Sequence, residues 1–171
     1  IGLGGVGLNI IQAANLVSAN PIIGIDINDN KILKAKKIGM DFGFNGLNQI
    51  NIDEIQKILG NNGADVVIET TGISQQIQNA YELTHPDGKT ILVGVPKKGD
   101  NISIYSLPLH FKKILKGSHG GGANPHIDIP KYISLFKARD INIRDIITHE
   151  FPLDEINEAL DLFRSGEAGR I

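Results

Sequence analysis

Short apolar runs alternate with longer amphipathic stretches through the first half of the chain. The short runs predict β-strands, and the longer stretches, in which apolar residues recur every three or four positions, predict α-helices. Because this alternation is typical of βαβ units, we expect an α/β fold with a doubly wound parallel sheet, the Rossmann arrangement. Strands are predicted at residues 21–26, 42–45, 65–70, 89–95 and 114–118, and helices at 6–17, 29–38, 52–59, 73–83, 129–137 and 153–163.

Glycines mark where several predicted helices end. Gly39 and Gly60 each follow the last apolar residue of a helix, a position that favours glycine because it adopts the left-handed conformation at little cost. The glycine-rich loop at 117–125 is a candidate boundary. We therefore divide the chain into an N-terminal α/β domain, residues 1–118, and C-terminal helices, residues 119–171. An extended segment at 143–151 is expected to join the last two helices.

Composition narrows the classes of partner. Lys and Arg number 17 against 19 Asp and Glu, a formal net charge of -2, so the chain lacks the basic field that favours nucleic acid or an anionic membrane surface. No apolar run approaches the roughly 20 residues of a membrane span, and no signal-peptide pattern is present. We expect a small-molecule partner, and the absence of cysteine fits the cytoplasm. Because residue 1 is Ile and a glycine-rich turn begins at once, we expect a fragment of a longer protein.

The glycine-rich turn carries a candidate phosphate-binding motif. Residues 2–7 read GLGGVG, in which Gly2, Gly4 and Gly7 fill the pattern GxGxxG. In dinucleotide-binding folds the first glycine allows a tight turn, the second lets the backbone approach a pyrophosphate, and the third lets the helix pack close to the sheet. The diphosphate then lies at the positive end of the helix that begins near Gly5 and Val6. Alone, the motif is also compatible with a glycine-rich turn that binds no ligand.

An acidic residue follows at the spacing that this motif requires. Asp26 ends the predicted strand PIIGID, about 20 residues after Gly7. A carboxylate there accepts hydrogen bonds from the adenosine ribose and repels a 2′-phosphate, which favours NAD over NADP. The alternative is that Asp26 only ends a strand beside a helix. Lys31 could reach the ribose or a phosphate, or it could belong to a solvated helix face with the lysines at 34, 36 and 37.

Six segments together carry a resemblance to a known family: GLGGVG, IIGIDINDNK, KAKKIGMDFGFN, GADVVIETTG, GKTILVGVP and FPLDEINEALDLFRSGEAGR. In this order they resemble the cofactor half of zinc-containing alcohol dehydrogenases of the medium-chain dehydrogenase/reductase superfamily, and most closely the class III members, which include the glutathione-dependent formaldehyde type. The resemblance covers nearly all of the chain. It implies that residues 1–118 are the NAD-binding Rossmann domain, with a truncated first strand, of an oxidoreductase that transfers hydride between NAD and an alcohol or a hemithioacetal-type adduct. It also implies that the C-terminal helices, residues 119–171, return toward the missing catalytic domain.

The resemblance also implies which residues contact NAD. The loop glycines would lie at the pyrophosphate with Val6 behind the nicotinamide ring, and Thr71 would border the adenine. Arg170 would approach the pyrophosphate, although a frayed, solvated arginine near the chain end is the alternative. The implied cofactor-binding set is Gly2, Gly4, Gly5, Val6, Gly7, Asp26, Lys31, Thr71, Gly94, Val95 and Arg170.

The resemblance places the zinc chemistry outside this chain. In the family a separate catalytic domain, largely N-terminal to residue 1, holds a catalytic zinc on Cys/His/Cys-type ligands and usually a structural zinc on four cysteines. This chain has no cysteine, so we expect zinc in the full-length parent only and assign no catalytic or metal-binding residue. The chain alone is expected to bind NAD(H) without turnover. An alcohol or aldehyde substrate for the parent, and a homodimer through the sheet edge near 114–118, are likewise implied.

Other chemistry has less support in the sequence. The five histidines form no HExxH motif and no close ligand pair, and no Tyr is followed four residues later by the Lys that short-chain dehydrogenases use. Asp65 and Glu69 flank a buried-looking strand and are expected to be structural.

Two alternatives stay open. One is a non-catalytic NAD-sensing module, which the C-terminal FPLDEINEALDLFRSGEAGR disfavours; the other is a zinc-free quinone or enoyl reductase, mostly NADPH-dependent, which Asp26 disfavours.

Overall fold

The computed structural model describes residues 1–46, 48–60, 62–138 and 141–171, and within them it confirms the predicted α/β fold of the Rossmann type. Helices and strands alternate from the start of the chain to β4, as in βαβ units. The helices are α1 Gly5–Leu16, α2 Asp29–Lys37, α3 Gln49–Leu59, α4 Ser74–Leu83, α5 Pro125–Ala138 and α6 Ile156–Ser165. The strands are β1 Ile23–Asp26, β2 Phe42–Asn45, β3 Ala64–Glu69, β4 Thr84–Leu92 and β5 Ile114–Gly117.

The chain forms two compact units. The first unit contains Ile1–Gly2 and Phe44–Gly122, and the second contains Leu3–Gly43 and Ala123–Ile171. Strands β1 and β2 form a two-stranded sheet. The division of function at residue 118 stays a prediction. Within the described ranges, no helix is both long and apolar enough to cross a membrane.

The first unit is built on a parallel sheet with the strand order β3-β4-β5. In register, Glu69 pairs with Leu92, and Leu92 pairs with Gly117, so the three strands end at a common edge. Ile1 lies alongside β3, because its main-chain nitrogen donates to the carbonyl of Ile68 (2.7 Å) and its carbonyl accepts from the N–H of Thr70 (3.0 Å). The loops that follow β3 and β4 therefore begin at the edge where open α/β sheets bind ligands.

The second unit holds an apolar core formed by α1, α2 and the segments beside them. The residues of α1 predicted to share one side, Leu8, Ile11 and Ala14, all belong to this core, with Ala14 only partly buried. Burial of such side chains stabilises the unit by roughly 1.5–3 kcal/mol for each large one. The buried members are Leu3, Leu8, Ile11, Ile22, Ile32, Ala35, Met40 and Ile146.

Several element boundaries differ from the predicted ones for local reasons. Helix α3 begins at Gln49 rather than 52, since the side chain of Asn48 accepts from the N–H of Asn51 (2.9 Å) and caps the helix. Strand β4 begins at Thr84, directly after α4, and ends at Leu92 rather than 95. Helix α5 begins earlier than 129, at Pro125, a residue suited to a first helical turn.

The segment 143–151 was expected to be extended, and part of it is not. Arg144–Ile146 form a 3-10 turn, closed by the N–H of Ile147 donating to the carbonyl of Arg144 (3.1 Å). The turn directs Ile146 into the core of the second unit, where its side chain is buried. A second 3-10 turn, Leu153–Glu155, precedes α6 where the sequence predicted a helix from 153.

A buried lysine joins β4 to α4 in the first unit. Lys113 is 8% exposed, and its Nζ donates to the carbonyl of Thr84 (2.7 Å) while lying 4.2 Å from the centroid of the Tyr81 ring. Burial lowers the pKa of Lys113 below the usual 10.5, and the charge of Glu82 opposes this in part. The unfolded chain therefore binds more protons at this residue than the folded chain does as the pH approaches 10.5.

We expect the contribution of Lys113 to stability to grow as the pH rises from about 8 to about 9.5. Lys113→Met removes the titrating group while keeping an apolar side chain, so the free energy of unfolding should depend less on pH in the variant. Urea denaturation across this range measures the difference. The range stays below 10.0, the usual pKa of tyrosine, because burial raises the pKa of Tyr81 and its effect on stability has the opposite sign. Equal slopes for the two proteins would refute the expectation.

Candidate cofactor-binding site

The glycine-rich loop of the second unit leads into the N-terminus of α1. Gly4 is the N-cap residue with no capping side chain, and the first turn of the helix contains no acidic residue. The first N–H groups of a helix have no partner within it, so this end attracts anions. A Cβ placed on Gly4 would meet nothing within 4 Å, so the loop surface is open at this point. The geometry fits a diphosphate that approaches the backbone directly.

Arg170 lies over the same helix end. A Cβ placed on Gly5 would be 2.9 Å from the carbonyl oxygen of Gly169 and 3.7 Å from Nη1 of Arg170, which shows how closely these groups approach the loop. The carbonyl of Arg170 accepts hydrogen bonds from the N–H (2.8 Å) and the Oγ1 (3.0 Å) of Thr148, so its main chain is held rather than frayed. A guanidinium and a helix N-terminus are both positive, and together they suit a doubly charged anion.

Asp26 is linked to the glycine-rich loop by its side chain. Its Oδ2 accepts from the N–H of Leu3 (2.7 Å), and its Oδ1 accepts from the N–H of Asn28 (2.9 Å). Each carboxylate oxygen can accept a further hydrogen bond, so a ribose hydroxyl could still bind. Asp26 is thus the last residue of β1, which agrees with the alternative that it ends a strand beside a helix. Its side chain also holds the start of the glycine-rich loop. Lys31 lies in the first turn of α2, half-buried.

The other predicted cofactor residues belong to the first unit. Gly2 packs against Thr70 and Thr71, and Gly94 packs against the backbone of Gly72. The side chain of Val95 is 87% exposed. The structure therefore groups Gly2, Thr71, Gly94 and Val95 in the first unit, and Gly4, Gly5, Val6, Gly7, Asp26, Lys31 and Arg170 in the second.

Sequence reasoning missed Thr148, which holds the main chain at Gly169 and Arg170, and Leu3, which links the glycine-rich loop to Asp26. Thr148 accepts from the N–H of Gly169 (3.0 Å) and donates to the carbonyl of Arg170, and Leu3 contributes only its main-chain N–H to Asp26. These roles use backbone groups or pair segments far apart in the chain. No local pattern identifies them.

The residues present do not fit a zinc site. The chain has no cysteine, and the described part contains no group of three or more His, Asp or Glu side chains that could hold a metal ion.

Comparison with known proteins identifies the family. The profile of the family described as zinc-binding dehydrogenase matches residues 5–138. Alcohol dehydrogenase 2 of Zea mays is 36% identical over 171 residues, which cover 99% of this chain and 45% of that protein. S-(hydroxymethyl)glutathione dehydrogenase of Paracoccus denitrificans is 35% identical over 178 residues, covering 99% and 47%. The structure of benzyl alcohol dehydrogenase from Acinetobacter calcoaceticus matches with a TM-score of 0.90 at 26% identity, covering 98% of this chain and 46% of that one. The chain spans less than half the length of these relatives, and it belongs to the zinc-binding dehydrogenase family.

Proposed function

We propose that this chain is the NAD-binding half of a zinc-type alcohol dehydrogenase. One observation carries the proposal. The guanidinium of Arg170 lies over the N-terminus of α1, beside an open Gly4 and with no acidic residue in the first turn of the helix. Among the described residues, the first turn of α1 places no carboxylate at this positively charged end, and the pyrophosphate of a dinucleotide would supply the negative charge.

Each group of residues has a separate part in binding. The loop amides and Arg170 would hold the pyrophosphate, and Asp26 with Lys31 would hold the adenosine ribose. Thr71, Gly94 and Val95 would border the rest of the dinucleotide. When bound, NAD supplies the hydride acceptor of the reaction, and the residues of this chain orient it. We infer that the chain alone binds NAD(H) without turnover.

We infer an alcohol or aldehyde substrate for the whole enzyme. The support is that relatives matching 99% of this chain include an alcohol dehydrogenase and a dehydrogenase of S-(hydroxymethyl)glutathione. The hemithioacetal-type adduct of the class III enzymes is the finer form of this proposal. It would be tested on the longer enzyme by comparing turnover of S-(hydroxymethyl)glutathione with turnover of simple alcohols.

Binding of NADH and NADPH tests the cofactor assignment. The chain has no Trp, so the emission of the reduced nicotinamide can be followed during titration without tryptophan fluorescence. We expect tighter binding of NADH, and we expect Asp26→Ser to shift the ratio of the two Kd values toward NADPH by about tenfold or more, the size of one hydrogen bond to a charged group. The ratio is the proper readout because Asp26 also holds Leu3, and loosening the loop would weaken both cofactors alike.

Asp29→Ser is the matched control, since it removes an exposed carboxylate from the start of α2 and should leave the ratio unchanged. Equal or tighter binding of NADPH by the unsubstituted protein would overturn the NAD assignment. So would an unchanged ratio in Asp26→Ser.

A further inference from the structure

The carboxyl group of Glu69 is fully buried at the end of β3, with 0% of the residue exposed. Its Oε1 accepts from the N–H of Thr71 (2.6 Å) and from the Thr71 hydroxyl, and its Oε2 accepts from the N–H of Gly72 (3.1 Å). Burying a carboxyl group is costly unless its oxygens are satisfied. All three donors belong to the loop that follows β3. The carboxyl group therefore fixes the conformation of that loop.

The main chain of Glu69 holds a second loop. Its carbonyl accepts from the N–H of Val93 (2.8 Å) and from the N–H of Gly94 (3.0 Å), where the chain leaves β4. The two loops also contact each other directly, since a Cβ on Gly72 would lie 2.5 Å from the carbonyl oxygen of Val95. One residue thus joins the loop carrying Thr71 to the loop carrying Gly94 and Val95.

Glu69 also sets the direction of the Thr71 side chain. The hydroxyl donates to Glu69 and accepts from the N–H of Ile73 (3.1 Å), so it is directed into the protein at the start of α4. The methyl group, Cγ2, lies on the side of Gly2, 3.0 Å from where a Cβ on that glycine would be. Loss of the carboxyl acceptor would free Thr71 to rotate.

We propose that Glu69 is a positioning residue for cofactor binding. It holds Thr71 and the segment 93–95 in a single arrangement. The inference rests on the proposed function, because these are the residues of the first unit that would border the dinucleotide. Glu69 itself is buried and acts on the cofactor only through the two loops.

Glu69→Gln tests the inference with nearly the same shape. One oxygen becomes an NH₂ group, which cannot accept from Thr71 or Gly72, so two donors face each other. The expected result is a Kd for NADH raised by about tenfold, measured at a temperature where circular dichroism shows the variant folded. The amides of Thr71 and Gly72 should also exchange hydrogen faster. Glu54→Gln, an exposed change of the same kind on α3, is the control and should alter neither quantity.

A double-mutant cycle separates positioning from general stability. Thr71→Val removes the hydroxyl that Glu69 orients, so Glu69→Gln should raise the Kd by a smaller factor in that background than in the unsubstituted protein. If Glu69→Gln does not fold, Glu69→Asp keeps the carboxyl group but withdraws it by one methylene. The same loss of affinity is then expected of the aspartate variant.

The outcomes distinguish this inference from the proposed function. If the unsubstituted protein binds NADH and Glu69→Gln binds it equally well, even with a lower Tm, Glu69 is only structural and this inference is overturned alone. If the unsubstituted protein binds no NADH, the proposed function fails, and the role of Glu69 toward the cofactor fails with it.

Discussion

Replacing Gly4 with alanine is expected to weaken NADH binding by about 100-fold or more, the cost of one or two hydrogen bonds from the loop amides to a charged phosphate. The new Cβ would meet no protein atom within 4 Å, so it would occupy open space at the N-terminus of α1. A methyl group there keeps a pyrophosphate away from the backbone. The fold should change little, since alanine in place of glycine at an N-cap costs about 1 kcal/mol or less.

Titration with NADH and a thermal melt measure the two quantities together. Gly117→Ala is the matched control, because a Cβ at Gly117 also meets nothing within 4 Å, at the end of β5 and outside the glycine-rich loop. We expect the control to change neither the Kd nor the Tm appreciably. An unchanged Kd in Gly4→Ala would show that the dinucleotide does not approach the loop at this residue.

Gly94→Ala is expected to destabilise the protein by about 3 kcal/mol or more, at the upper end for overpacking. A Cβ at Gly94 would overlap the backbone nitrogen of Gly72 and lie 2.7 Å from the carbonyl carbons of Thr70 and Thr71. All three contacts are backbone atoms, which cannot move aside as the end of a flexible side chain can. The overlap can be relieved only if the loop after β4, which carries Gly94, moves away from the loop after β3, which carries Gly72.

Urea denaturation gives the free energy of unfolding for this comparison. Gly117→Ala again serves as the control, since it adds the same methyl group in open space. A free energy of unfolding for Gly94→Ala within about 0.5 kcal/mol of the control, the usual range for surface changes, would contradict the close packing of the two loops.

The sequence was sufficient where a local pattern decides the structure. The alternation of apolar runs and amphipathic stretches predicted the α/β class. The expected span 42–45 coincides with β2, and Gly39 and Gly60 follow α2 and α3. The motif around Gly4 was correctly placed at the start of α1 because GxGxxG specifies both a turn and the helix after it. Each of these features depends on residues within a few positions of one another.

The features that the sequence did not predict depend on contacts between segments that are distant in the chain. The approach of Gly169 and Arg170 to Gly5 brings the end of the chain to its beginning, and nothing near either segment encodes the distance. Glu69 was expected to be structural because it ends a strand. Its part in joining two loops is visible only once β3 and β4 are paired. The end of β4 was misplaced for the same reason, since the N–H of Val93 makes the last ladder bond to the carbonyl of Glu69 and the N–H of Gly94 donates to that same carbonyl, which ends the strand.

The hydroxyl group of Thr71 has a single hydrogen, and the structure directs it to Glu69. The same oxygen accepts from the N–H of Ile73. Thr71 therefore has no hydrogen to offer a ring nitrogen or an exocyclic oxygen of a nucleobase. A purine lying beside it would receive no hydrogen bond from this hydroxyl group, whether the base is adenine or hypoxanthine. Any selectivity of this fold for adenine has to be set by other groups, and base-modified dinucleotides are the natural probes with which to find them.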